Sequence, residues 1–103
     1  MTEEEKAEEA NKAKAEDIKA QGNKAYKEKK FDEAIALYVE ASKLNPKELT
    51  YYTNQGAVYM SMKNYDACIE QCDKAIAVAA EGYYDYVKLS KAYARKGTAL
   101  KNL

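Results

Sequence analysis

Small residues return in this chain every thirty-four positions, and few architectures tolerate that spacing. Gly22 and Gly56 are separated by the interval, and so are Gln21 and Gln55, Ala34 and Cys68, Tyr38 and Cys72, and Ala41 and Ala75. A period of this length marks stacked helix-turn-helix units, none of which buries its apolar face without a neighbour. Arrays of this kind form curved surfaces that hold other chains, and they rarely catalyse.

Helical spacing fills in the units. Ile18, Gln21, Gly22, Ala25 and Tyr26 share one face and run into the polar stretch Lys27 to Lys30. Phe31 and Asp32 open a second helix with the stripe Ala34, Ile35, Leu37, Tyr38, Ala41 and Leu44. Asp32 and Glu33 suit its positive N-terminal end, and Asn45-Pro46 stops it, since Pro disfavours helix in the residue before it. The second unit repeats the plan. Tyr51, Tyr52, Gln55, Gly56, Val58 and Tyr59 form its first helix; Asn64 caps the next, with Ala67, Cys68, Ile69, Cys72, Ala75, Ile76 and Val78 inward. Mid-helix glycine costs about 1 kcal/mol relative to alanine, and the expected compensation is close approach of the paired helix at Ala34 or Cys68.

The third unit is displaced. Gly97 follows Gly56 by forty-one residues, one repeat plus seven, which is nearly two helical turns. The extra residues fall around Glu81 to Leu89 and imply a longer helix pair. The sequence reaches Leu103 before any partner for Lys91 to Leu103, so the last unit is half a repeat. Residues 1–15 carry, after Met1, only alanine as an apolar type, and read as a polar extension, either frayed helix or disordered. The expectation is an all-α right-handed superhelix of about two and a half repeats and five helices. Its domain covers residues 16–103, with repeats at 15–48 and 49–82 and a half repeat at 83–103.

With Gly22, Gly56 and Gly97 equivalent, the polar residues of the first helices converge. Lys19 and Asn23 are four apart, as are Lys91 and Arg95, and Asn54 takes the same repeat position as Arg95. Offsets of three and four put all five on one helical face. Lys and Arg supply charge and several donors, and Asn supplies an amide that does not repel them. Such a groove suits a carboxylate, since charge-assisted bonds are roughly twice as strong as neutral ones. Ordinary solvated charges on lysine-rich helices are the alternative reading of the same spacing.

The pattern over residues 15–103 resembles tetratricopeptide repeats. More narrowly, GNKAYKEKKFDEAIALY, TYYTNQGAVY and KLSKAYARKG resemble the central tetratricopeptide domain of the Hop/Sti co-chaperones, including its lengthened third unit. The resemblance implies a two-carboxylate clamp for the acidic C-terminal tail, ending Glu-Glu-Val-Asp, of the ninety-kilodalton heat-shock chaperone, in preference to the seventy-kilodalton one. It assigns the clamp to Lys19, Asn23, Asn54, Lys91 and Arg95, and pockets for upstream apolar side chains to Tyr26 and Ala57. Two departures stand out: Lys88 lies where relatives commonly carry a neutral polar residue, and the second helix of the third repeat is absent.

Other classes fit poorly. Seventeen basic and seventeen acidic residues leave no net charge, so neither nucleic acid nor membrane is an expected partner. No stretch approaches the roughly 18 apolar residues that span a bilayer. The acidic N-terminus lacks the regions of a signal peptide, and two cysteines without export signals point to the reducing cytoplasm. Cys68 and Cys72 would need two further soft ligands to hold zinc, and the chain has no His and no other Cys, so core packing is expected. Tyr38, Tyr59 and Tyr93 fall where the repeat buries rings between helices. No phosphate loop, activated nucleophile or metal set is present, so no enzymatic activity, cofactor or metal is expected. Two alternatives remain open. One is an assembly element that dimerises through an apolar edge of Leu89, Ala92, Tyr93, Leu100 and Leu103. The other is a designed or trimmed scaffold without a physiological partner.

Overall fold

The computed structural model describes residues 1–82 and 85–103. Among them the chain forms α1 (Glu3–Lys27), α2 (Phe31–Leu44), α3 (Leu49–Ser61), α4 (Tyr65–Ala80) and α5 (Tyr86–Lys101). Tyr83 and Tyr84, inside the stretch where the seven extra residues are expected, lie outside the described residues.

Each boundary has a local cause. At the start of α1 the Thr2 hydroxyl accepts from the Glu5 amide at 3.1 Å while the Glu5 carboxylate accepts from the Thr2 amide at 3.3 Å. This capping box satisfies two donors that helix geometry leaves open, and Glu3, Glu4 and Glu5 face the positive helix end. Residues 3–15 are therefore continuous helix, and Ala15 is fully buried. α1 and α3 end identically. Lys29 and Lys63, one repeat apart, take φ of 61° and 60°. The amides of Lys30 and Asn64 reach back to the carbonyls of Ala25 and Tyr59, each at 2.9 Å, which closes both helices with a Schellman motif. Asn64 then caps α4, accepting from the Ala67 amide at 3.3 Å.

The molecule is 17 Å thick along its shortest axis, about two helices deep given diameters of about 10–12 Å. α1, α3 and α5 form one layer and α2 and α4 the other, each helix packing on its neighbours in chain order and α3 also on α5. α4 and α5 run 16 residues each against 14 for α2 and 13 for α3. Buried residues gather in four clusters: Ala15, Ile18, Ala41 and Tyr51; Ala25, Ala34, Tyr38 and Val58; Leu49, Ala75, Ala79 and Ala92; and Cys68, Cys72 and Ala99, with Leu37 packed against both of the first two.

Cys68 packs against Gly56 as expected, but Gly22 meets a different neighbour. A Cβ on Gly22 would stand 2.7 Å from Cε1 of Tyr38, so a ring, not Ala34, fills the space over α1. Over Gly56 the nearest atoms are Cys72 Sγ at 3.5 Å and Cys68 Sγ at 3.7 Å, a looser contact because cysteine replaces tyrosine at that repeat position. Gly97 meets nothing within 4 Å among the described residues. Gly97→Ala should therefore stabilise the fold by about 0.5–1 kcal/mol, raising Tm by a few degrees. Gly22→Ala should lower Tm, because the displaced Tyr38 ring outweighs the same propensity gain. Thermal unfolding followed by circular dichroism checks both signs.

The apolar edge of α5 is narrower than the sequence suggests. Ala92 is fully buried against α4 and Leu89 is half-buried in the same cluster, so neither contributes to an open edge. Tyr93, Leu100 and Leu103 are exposed at 55, 53 and 65 %, together with Tyr86 and Val87. The ring of Tyr93 is not buried between helices as the repeat pattern implied, since only α4 packs on α5 from the second layer.

Candidate functional site on the α1–α3–α5 layer

Five polar residues of the sequence analysis stand on the three helices of one layer: Lys19 and Asn23 on α1, Asn54 on α3, Lys91 and Arg95 on α5. Their present bonds differ. Lys19 Nζ lies 3.2 Å from Glu16 Oε1. Arg95 Nη1 donates to the backbone carbonyl of Thr53 at 2.5 Å, tying α5 to α3. Asn54 and Lys91 take no side-chain hydrogen bond or ion pair among the described residues, with Asn54 half-buried and Lys91 exposed.

Asn23 is oriented from below. The Tyr38 hydroxyl donates to its Oδ1 at 2.5 Å, which leaves the amide nitrogen, with its two donors, on the other side. Tyr38 reaches this position because Gly22 lets its ring lie against α1. Burial, then the neighbouring Tyr26, hold the Tyr38 hydroxyl above its usual range, while the Arg95 charge pulls the other way.

Tyr26 and Ala57 are also brought together. The Tyr26 hydroxyl lies 2.6 Å from Ser61 Oγ and makes a long contact of 3.4 Å with the Ala57 carbonyl, so it bridges α1 and α3. The Tyr26 ring packs tilted on Phe31 with centroids 5.9 Å apart.

Sequence reasoning passed over the acidic members of this surface. Glu16 accepts from Lys19 and, through Oε2, from the buried Tyr51 hydroxyl at 2.9 Å. Only the three-residue offset from Lys19 hinted at it. Lys88, singled out as a departure, is neutralised: its Nζ is 2.6 Å from Glu48 Oε1, at the residue that caps α3. Burial pushes the Glu48 carboxyl up, but the bonds from Lys88 and Thr50 outweigh it and leave the group below its ordinary 4.5. A depressed carboxyl contributes stability that is complete above the unfolded value and is lost as pH falls through the folded one. Lys88→Met should therefore reduce the loss of stability between about pH 5 and pH 2, as read by urea unfolding at the two pH values.

Cys68 and Cys72 are fully buried and unpaired. Burial pushes both thiols up, Cys72 to about 12, so neither is an available thiolate.

A two-layer array of paired helices with a polar face on its first helices is a tetratricopeptide repeat domain, and the TPR repeat family matches residues 22–63. The chain belongs to the tetratricopeptide repeat family and is homologous to the repeat domains of Hsp70-Hsp90 organizing proteins. It is 45 % identical over 85 residues to the Hsp70-Hsp90 organizing protein of Triticum aestivum, covering 82 % of this chain and 15 % of that protein. The chain thus spans about a seventh of that relative. Among solved structures, the N-terminal domain of stress-induced protein-1 (STI-1) from C. elegans superposes with a TM-score of 0.85 at 38 % identity, covering 90 % of this chain and 73 % of that one. The first TPR of Spaghetti (RPAP3), bound to the HSP90 peptide SRMEEVD, superposes with a TM-score of 0.77 at 30 % identity, covering 88 % and 68 %.

Proposed function

We propose that this domain is a co-chaperone module that clamps the acidic C-terminal tail of the ninety-kilodalton heat-shock chaperone, ending Glu-Glu-Val-Asp. The reading rests above all on the free or oriented donors of the α1–α3–α5 layer. Among the described residues Asn54 and Lys91 take no side-chain partner, and Asn23 has its acceptor tied to Tyr38. Arg95 commits one nitrogen to Thr53 and keeps the rest of its fork. The terminal carboxylate sits among Lys19, Asn23 and Asn54, and Lys91 with Arg95 takes the Asp side chain. Tyr26 and Ala57 line the wall beside the upstream apolar residues. The peptide-bound relative supports the same ligand class.

The assignment is to binding, in the cytoplasm, with no catalytic step and no cofactor. Calorimetric titration with a peptide ending Met-Glu-Glu-Val-Asp, beside its C-terminally amidated twin, tests it. Micromolar binding, about −8 kcal/mol, should collapse on amidation and weaken with salt, since screening acts over about 8 Å at physiological ionic strength. Equal binding of both peptides, or affinity indifferent to salt, would refute the clamp. Competition with the tail of the seventy-kilodalton chaperone reads the preference between the two.

A second reading draws on the exposed Tyr93, Leu100 and Leu103 of α5. An exposed apolar strip on α5 invites self-association, which is compatible with peptide binding. Sedimentation over a wide concentration range decides it, a strict monomer throughout ruling it out.

A further inference from the structure

Glu16 is unlike the other acidic residues of α1. Lys6 with Glu3 and Lys12 with Glu9 are three-residue pairs on the same helix, at 3.6 and 3.7 Å, with lysine side chains more than half exposed. Lys19 with Glu16 closes to 3.2 Å, and the Lys19 side chain is only 25 % exposed. The second oxygen of Glu16 is held from another helix by the Tyr51 hydroxyl at 2.9 Å. Tyr51 is fully buried, packed with Ala15, Ile18 and Ala41, so the donor that holds Glu16 is itself enclosed by the core. A carboxylate anchored across two helices thus sits on the one clamp cation of α1.

We infer that Glu16 is a built-in competitor for the ligand carboxylate at Lys19, held in place by Tyr51. The inference rests on the clamp reading above. Binding is then an exchange in which the incoming carboxylate displaces Glu16 from the Lys19 ammonium. Affinity is set below what the five donors alone would reach, and Glu16 becomes a residue that tunes the domain for ligands with enough negative charge to win the exchange.

Glu16→Gln separates the roles, since its amide oxygen still accepts from Tyr51 while the charge is gone. Titrated with the same acidic peptide and its amidated twin, the variant should bind the free-acid peptide about three- to tenfold more tightly and leave the amidated twin unchanged. In a Lys19→Met background the gain should vanish, an interdependence that a purely structural role of Glu16 would not produce. Wild-type binding with unchanged or weaker binding by Glu16→Gln overturns the competitor and leaves the clamp standing. A gain that persists without Lys19 also overturns it. Failure of both wild type and variant to bind overturns the clamp reading, and the competitor with it.

Discussion

Arg95→Ala should weaken binding of the free-acid peptide by about 2–3 kcal/mol, roughly 30- to 150-fold, while the helices persist. Arg95 is the one residue of the proposed clamp with a planar fork of five donors, and a fork can grip a carboxylate through two parallel bonds. One nitrogen is already committed to the Thr53 carbonyl, which fixes the guanidinium at the junction of α5 and α3 before any ligand arrives. That pre-organisation reduces the ordering cost at binding, so truncation forfeits both the bonds and their positioning. Arg95→Lys should recover only part of the loss, because an ammonium lacks the parallel pair of coplanar donors that grips a carboxylate while a third bonds Thr53. Calorimetry with a circular dichroism control measures both variants. A loss smaller than threefold for Arg95→Ala would remove Arg95 from the site.

Tyr38 should show a different split between stability and binding. Its ring is 1 % exposed, packs with Ala25, Ala34 and Val58, and covers Gly22. Tyr38→Ala empties this position at a cost of about 3–5 kcal/mol. Since a whole domain is stable by only about 5–15 kcal/mol, Tm should fall by about 15 °C or more, and peptide binding should be lost with the fold. Tyr38→Phe keeps the ring and removes only the hydroxyl that holds Asn23 Oδ1. Its Tm should fall by a few degrees, for a bond worth about 1 kcal/mol. Peptide affinity should still drop severalfold, because the Asn23 amide is free to turn its oxygen toward the ligand. Thermal unfolding and titration of the two variants separate the ring from the hydroxyl, and unchanged affinity in Tyr38→Phe would show that Asn23 needs no positioning.

Much of the fold was legible because its determinants are local. The stop at Asn45-Pro46, the cap at Asn64 and the inward stripes of α2 and α4 depend on residues within a turn or two of one another, and the structure keeps each of them. The N-terminal stretch was ambiguous because Glu, Lys and Ala provide no apolar stripe, although Thr2 and Glu5 carried the spacing of a capping box. Ala92 and Tyr93 show where local pattern stops. They are adjacent, and only the packing of α4 on α5 decides that the alanine is enclosed and the ring exposed.

The candidate site divides in the same way. Periodicity alone put Lys19, Asn23, Asn54, Lys91 and Arg95 on equivalent faces, because helical offsets of three and four, in a frame set by glycines thirty-four and forty-one residues apart, need no tertiary knowledge. Apart from the local pairing of Lys19 with Glu16, the bonds that hold these residues come from partners distant along the chain. Tyr38 to Asn23 spans 15 residues, Tyr51 to Glu16 spans 35, and Arg95 to the Thr53 carbonyl spans 42. A buried hydroxyl or a backbone carbonyl finds its partner only when stacked helices bring it within about 3 Å, and no repeat pattern records which side chain will be waiting there.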